Sequence, residues 1–289
     1  MAVTYNDLYM DLRQELRRAG VEAATLEARE LVCFACGKTR EQLIADGRLY
    51  AGENVVQEVE KLKTRRLAGE PVAYLIGEWE FYGLPLDISS AVLIPRVDTE
   101  VLAGEAIAYV NTLPSVRVLD LCAGSGCVGL AVASRCDRAQ VTLGELSTEA
   151  LKICRQNIRR SVLTGRVVSV QADALAKPDR SLGEFDCIVS NPPYIPSADI
   201  AGLDGSVKDY EPLLALDGGE DGLDFYRAIA RNWRGALTKR GRLYFEVGIG
   251  QADAVLRILR GAGFGDIEIV KDTAGIPRVV YGTVCDGIE

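Results

Sequence analysis

The chain has 289 residues, 48% hydrophobic and 26% charged, a balance that suits a folded protein with a buried core and excludes a largely disordered one. Its formal net charge is −8; residues 1–75 carry 11 basic against 12 acidic side chains and the remainder 22 against 29, so a broad electrostatic footprint on nucleic acid is disfavoured where a nucleic-acid enzyme would need it. Histidine is absent, which removes the usual general base and the Ser-His and Cys-His nucleophile pairs. No run of about eighteen apolar residues exists, so no helical membrane span is expected. The opening residues lack the basic and apolar regions of a signal peptide, and the expected location is the cytoplasm.

Residues 1–70 read as a small helical bundle. Thr4 with Asp7 resembles a capping box, Tyr5, Leu8, Leu12 and Leu16 recur at helical spacing, and Gly20 can close the helix. A second helix is predicted from about Ala23 to Cys36, stopping at Gly37, and Thr39 with Gln42 caps a third, short one. A fourth, from about Asn54 to Leu67, turns Val55, Val56, Val59, Leu62 and Leu67 inward. Cys33 and Cys36 form a C-x-x-C, but they lie within a helical pattern with no second pair at zinc-like spacing, so no metal is expected and the eight cysteines read as reduced and buried.

Gly69-Glu70-Pro71 breaks the helical pattern. Residues 71–97 are rich in aromatic and β-branched side chains punctuated by Gly77, Gly83 and Pro85, and read as a β-hairpin linker. Asp98 and Thr99 can cap a helix beginning near Glu100. From residue 116 strand and helix signals alternate, with strands expected at 116–121, 140–144, 166–171, 185–190, 242–248, 266–270 and 278–284. This implies a mainly parallel α/β sheet over residues 98–289, with the last two strands antiparallel because only a short turn separates them.

Chemistry concentrates at the ends of the first four strands of this region. Asp120 is followed by the small-residue turn Cys122-Ala123-Gly124-Ser125-Gly126, where backbone amides can approach a ligand closely. Glu145 ends the second strand, 25 residues further on, where an acid can take both hydroxyls of a ribose. Asp173, with Ala174 beside it, follows the third strand and can address an adenine edge. The fourth strand stops abruptly in Asn191-Pro192-Pro193-Tyr194, a rigid turn without N–H donors at its prolines that presents an amide, carbonyls and one aromatic ring. Each feature alone has a bland reading, a solvated loop charge or a proline-stiffened turn; four at successive strand ends do not.

Together these residues resemble the adenosylmethionine-dependent methyltransferases of the seven-stranded Rossmann-like class I, in the subgroup that methylates amide or exocyclic amino nitrogen. More closely, the chain resembles the release-factor glutamine N5-methyltransferases, the PrmC/HemK family. The resemblance extends to Gly69-Glu70-Pro71 with Tyr74, Glu80-Phe81-Tyr82-Gly83, Leu93-Ile94-Pro95-Arg96, Glu211-Pro212 with Ala215-Leu216, Gly222-Leu223 with Tyr226, and Glu246-Val247-Gly248. The chain departs from the family where it has Cys122 for a frequent glycine, Val97-Asp98 for proline and glutamate, and Glu145 for a common aspartate.

The resemblance implies S-adenosyl-L-methionine as methyl donor, held by Asp120, Cys122, Ala123, Gly124, Ser125, Gly126, Glu145, Asp173, Ala174 and Asn191. It implies catalysis by Asn191, Pro192, Pro193 and Tyr194, with Leu93, Pro95 and Arg96 adjoining the substrate glutamine, and peptide chain release factors as protein substrates docked by the N-terminal bundle. An amide nitrogen is a poor nucleophile because its lone pair is delocalised; holding both N–H groups on the Asn191 side-chain carbonyl and a proline carbonyl directs that pair at the methyl group, with Tyr194 packed on the amide plane. The alternatives are a ribosomal-protein glutamine methyltransferase, a nucleic-acid adenine N6-methyltransferase, which uses the same turn on a flipped base, and a non-catalytic adenosylmethionine sensor.

Overall fold

The computed structural model describes residues 3–285. One compact unit runs to Glu78 and takes in residues 205–210; the second comprises residues 79–204 and the chain from Glu211 onward. The first unit is built on α1 (Tyr5–Arg18), α2 (Ala24–Cys36), α3 (Arg40–Ala45), α4 (Glu53–Leu67) and α5 (Val72–Ile76). Both predicted capping boxes form: Thr4 Oγ1 accepts from Asp7 N at 3.1 Å while Asp7 Oδ2 accepts from Thr4 N, and Thr39 and Gln42 repeat the exchange at α3. Each cap satisfies otherwise orphaned N–H groups and contributes about 1 kcal/mol. Leu8, Leu12, Leu16, Leu31, Val59 and Leu62 fill the core between the helices.

Three local expectations for this part of the chain are corrected. Leu67 is 44% exposed rather than inward, because α4 ends on it and the chain turns away at Gly69, whose φ is +105°. Residues 72–76 are helical, not strand: Pro71 supplies the extended N-cap, Gly77 the left-handed C-cap, and Val72, Ala73 and Leu75 are buried. Asp98 occupies the N-cap position of the next helix but makes no capping bond, since its backbone is already helical and its carboxylate pairs with Arg278 at 2.7 Å. Cys33 is buried in α2, where burial pushes its thiol up to about 11, and Cys36 Sγ donates to the Cys33 carbonyl at 3.6 Å. These are packed thiols of the bundle.

The second unit begins with a hairpin, β1 (Glu78–Phe81) and β2 (Leu84–Asp87), whose two loop residues Tyr82 and Gly83 both have positive φ, the backbone a tight twisted hairpin requires. α6 (Thr99–Val110), β3 (Val116–Leu121), α7 (Cys127–Arg135), β4 (Ala139–Glu145), α8 (Thr148–Arg160), β5 (Val167–Gln171) and β6 (Phe185–Ser190) follow. The chain continues through α9 (Asp224–Asn232), β7 (Leu237–Glu246), α10 (Ala252–Gly261), β8 (Phe264–Lys271) and β9 (Pro277–Val284). All seven predicted strands of the sheet are present, in the order β5-β4-β3-β6-β7-β9-β8, parallel except for β9, which runs antiparallel to both neighbours.

The flanking helices cover the sheet with apolar stripes: Tyr226, Ile229, Val255 and Leu259 pack on Leu119, Ile188, Leu243 and Phe245. Burying such side chains stabilises the fold by about 1.5–3 kcal/mol each, so strands buried on both faces read as continuous apolar runs. The order reverses between β3 and β6, leaving a crevice at their carboxyl ends, and that is where open α/β sheets bind ligands.

Candidate active site

The crevice is a cavity of about 700 Å³. Ser190 Oγ donates to the Leu121 carbonyl at 2.6 Å and ties the ends of β3 and β6 together. Asp120 lies on its floor, 2% exposed, with Oδ2 accepting from Gly129 N at 2.8 Å. Burial pushes the Asp120 carboxyl up to about 7; the Gly129 N–H pulls it back and the neighbouring Glu145 charge adds to the rise. Glu145 is buried at the end of β4, Oε2 accepting from Gly124 N at 2.9 Å and Oε1 from Ser147 N at 2.8 Å. It thereby shapes the turn from beneath and keeps free acceptor positions on both oxygens.

That turn explains one departure noted in the sequence. Cys122 has φ +64°, the left-handed region in which glycine sits without cost and another residue costs about 1–2 kcal/mol. Cys122 and Cys127 both line the cavity, and burial raises both thiols, Cys127 to about 12, so they present neutral sulfur. On the third strand end, Asp173 Oδ1 accepts from Leu175 N at 2.8 Å, and the Ala174 carbonyl accepts from Trp233 Nε1 at 3.1 Å, anchoring the loop to the core.

The Asn-Pro-Pro-Tyr turn is held by two backbone bonds and one side chain. Ile195 N donates to the Leu216 carbonyl at 3.0 Å, Gly218 N to the Ile195 carbonyl at 2.9 Å, and Gln251 Nε2 to the Tyr194 carbonyl at 2.8 Å. Asn191 lines the cavity and its Nδ2 donates to Thr99 Oγ1 at 3.3 Å. Tyr194 packs against the core, and burial pushes its hydroxyl up to about 12.

Of the residues selected from the sequence, Asp120, Cys122, Ala123, Gly124, Ser125, Glu145, Asp173 and Ala174 line the cavity. Asn191, Pro193, Leu93 and Pro95 line it as well. Gly126, Pro192, Tyr194 and Arg96 are not lining residues: Gly126 N closes the turn on the Ala123 carbonyl at 2.7 Å, and Pro192 is buried. Arg96 instead forms an ion pair with the buried Glu211, 115 positions away. Burial raises the Glu211 carboxyl and the Arg96 charge pulls it back. The pair joins the segment bearing Leu93 and Pro95 to the one bearing Pro212, Leu214 and Ala215, all of which line the cavity.

Sequence reading missed Asn157 and Phe225. Asn157, fully buried on α8, accepts from Asp87 N at 2.6 Å and donates to the carbonyls of Asp87 and Ser125, bracing the turn. An asparagine within an amphipathic helix carries no local sign of such a role. Phe225 lines the cavity next to Tyr226, the neighbour that the motif singled out.

A seven-stranded sheet with β9 alone reversed, opening at its switch point onto acids from three successive strand ends, makes the second unit a class I methyltransferase domain. In agreement, residues 83–201 match the family model described as "Methyltransferase small domain", and residues 7–77 match "PrmC N-terminal domain". The chain is 40% identical over 274 residues to a release factor glutamine methyltransferase of Geobacter sulfurreducens, covering 94% of each chain. It is 38% identical over 277 residues to one of Moorella thermoacetica, covering 93% of this chain and 97% of that one. The protein belongs to the release factor glutamine methyltransferase family.

Among solved structures, the hMettl16 catalytic domain in complex with MAT2A 3'UTR hairpin 6 superposes with a TM-score of 0.56 at 15% identity, over 79% of this chain and 84% of that one. A methyltransferase from Pyrococcus furiosus gives 0.51 at 16%, over 78% and 98%. At that identity the likeness carries the fold alone.

Proposed function

We propose that this protein transfers the methyl group of S-adenosyl-L-methionine to the side-chain amide nitrogen of a glutamine in peptide chain release factors. The observation that carries the donor is the charge of the cavity: Asp120, Glu145, Glu149 and Asp173 line it and, among the described residues, no Lys or Arg does. Such a lining suits a cation and repels the phosphates of a nucleotide. The buried Ser125 Oγ, which lacks a hydrogen-bond partner, and the left-handed Gly124, with open space where a Cβ would stand, leave polar and steric room for a ligand. Asp120, the Cys122 to Ser125 turn, Glu145, Asp173 and Ala174 would hold the donor, whose sulfonium supplies the methyl group and leaves as a neutral thioether.

This chain's residues then have to present the acceptor. The Asn191 side-chain carbonyl and a proline carbonyl take the two N–H groups of the glutamine amide, so its lone pair is directed across the cavity; Leu93, Pro95, Pro212 and Ala215 give the same cavity an apolar lining. Alignment of this kind contributes several kcal/mol, on the order of effective-molarity effects. No base is needed before the bond forms, in keeping with a chain that has no histidine. The decisive comparison is methyl transfer to a purified release factor against transfer to adenine-containing RNA and DNA. The proposal expects the protein acceptor alone to be labelled, and label on nucleic acid would overturn it.

Cofactor affinity is expected to depend on pH through Asp120. Its carboxyl, raised to about 7 by burial, ionises more readily beside a bound cation, so binding releases a proton below that value. Affinity should therefore rise with pH up to about 7 and level off above it, and Asp120→Asn should flatten the rise. Calorimetric titration of both proteins with S-adenosyl-L-methionine checks this; identical profiles would remove Asp120 from the cofactor site.

The bundle's role is protein docking. Ile44 is 78% and Tyr50 69% exposed, with Leu49 between them also exposed, a surface a solvated bundle has no reason to keep apolar. Ile44→Asp combined with Tyr50→Ala is expected to raise the KM for the release factor about tenfold, the loss of one or two buried anchors. Cofactor affinity should stay unchanged, measured in the same titration; an unaltered KM would assign the docking surface elsewhere.

A further inference from the structure

The proposed mechanism, on which this inference rests, needs the Asn191 amide in one of its two flips, with oxygen toward the substrate. We infer that Thr99 and Glu246 are positioning residues that lock that flip. β6 and β7 run in parallel register with Ser190 opposite Phe245, so the next residues, Asn191 and Glu246, leave the sheet side by side. Thr99 opens α6 against them; it is 2% exposed and Glu246 3%. Asn191 Nδ2 lies 3.3 Å from Thr99 Oγ1. The Glu246 carboxyl faces both side chains: burial pushes it up to about 7, and the polar groups of Thr99 and Asn191 pull it back.

The donor arithmetic then leaves one solution. Above about pH 7 the Glu246 carboxyl is ionised and only accepts, so Thr99 turns its single proton to Glu246 and accepts from whatever else it faces. The Asn191 atoms turned to Thr99 and to Glu246 are therefore N–H donors, both from Nδ2, and Oδ1 is left for the cavity. Glu246 is suited to this task because it is otherwise nearly isolated: its Oε2 is buried without a partner, and Arg278, whose charge acts on it, is already bound by Asp98 at 2.7 Å and Asp272 at 3.0 Å. A carboxylate kept in so dry a place without an ion pair of its own costs stability. A fold-only role would be served by an apolar side chain.

The test compares Thr99→Val, which keeps the shape and removes the hydroxyl, with Thr99→Ser, which keeps the hydroxyl. Thr99→Val is expected to lower kcat on a release factor about tenfold or more, with the KM for the release factor, the cofactor Kd and Tm nearly unchanged. Thr99→Ser should recover most of the loss, and Glu246→Gln, which introduces a competing donor, should lower kcat severalfold. A readout independent of substrate is hydrogen exchange of the Asn191 side-chain NH2 in 15N-labelled protein, assigned by its absence in Asn191→Asp. Protection is expected in the natural protein and in Thr99→Ser, and at least about tenfold faster exchange in Thr99→Val. Equal exchange in all three would overturn the lock whatever the substrate, whereas protected exchange without methylation of a release factor would overturn the substrate assignment and leave the lock standing.

Discussion

Asn191→Ala is expected to lower methyl transfer by about 10²–10³-fold or more while leaving cofactor affinity within a few-fold, the range seen when one pre-placed polar group is removed from a reacting centre. The side chain lines the cavity with Leu93, Pro95 and Pro193, and the pairing of Ser190 with Leu121 sets it beside the start of the Cys122 to Ser125 turn. Its loss leaves Asp120, Glu145 and Asp173 in place and removes an acceptor on which the amide lone pair depends. Single-turnover rates with saturating release factor, alongside calorimetric cofactor binding, measure the two effects separately. A retained rate would sink the amide-holding mechanism, and a large loss of cofactor affinity would move Asn191 to the donor's side.

Gly218→Ala, at a residue that is not in the cavity lining, is expected to cost about as much as a direct change. A Cβ there would stand 2.7 Å from Tyr194 Cα and 2.9 Å from the Pro193 carbonyl oxygen, both backbone atoms that cannot rotate away. Gly218 N also donates to the Ile195 carbonyl, so the two segments cannot simply part. The Pro-Pro-Tyr backbone must shift, and a displacement on the order of 1 Å at a reacting group reduces rates about 10²-fold. Activity should fall by that order, Tm by a few degrees for about 1–3 kcal/mol of overpacking, and cofactor affinity should persist. Unchanged activity with unchanged Tm would show that the turn tolerates displacement.

Most of the catalytic unit could be read from residues alone because its signals are local. A buried parallel strand is a short apolar run, its end is a turn residue, and an acid or an Asn-Pro-Pro at that end is visible within a few positions; β3 and β6 begin and end where the pattern placed them. The capping boxes at Thr4 and Thr39 were legible for the same reason.

What escaped was set by distance in sequence. Arg96 read as a neighbour of the glutamine slot, yet its partner Glu211 is 115 positions on and defines where the guanidinium lies. Thr99 looked like a cap because threonine before a helix usually is one, and only the approach of Asn191 and Glu246 gives it another task. Residues 72–76 carry β-formers, but Pro71 and Gly77 bracket one helical turn whose apolar side the bundle buries, and burial outweighed propensity. Nor does the local pattern show that residues 205–210 belong with the first unit.

The amide-methylating function is tested most directly by locating the transferred group. The protein is incubated with isotopically labelled S-adenosyl-L-methionine and a purified release factor, and the product is digested and sequenced by tandem mass spectrometry. One label on the side-chain amide of a single glutamine is the predicted result. Label on any other residue, or none under conditions in which the cofactor is bound, would contradict it.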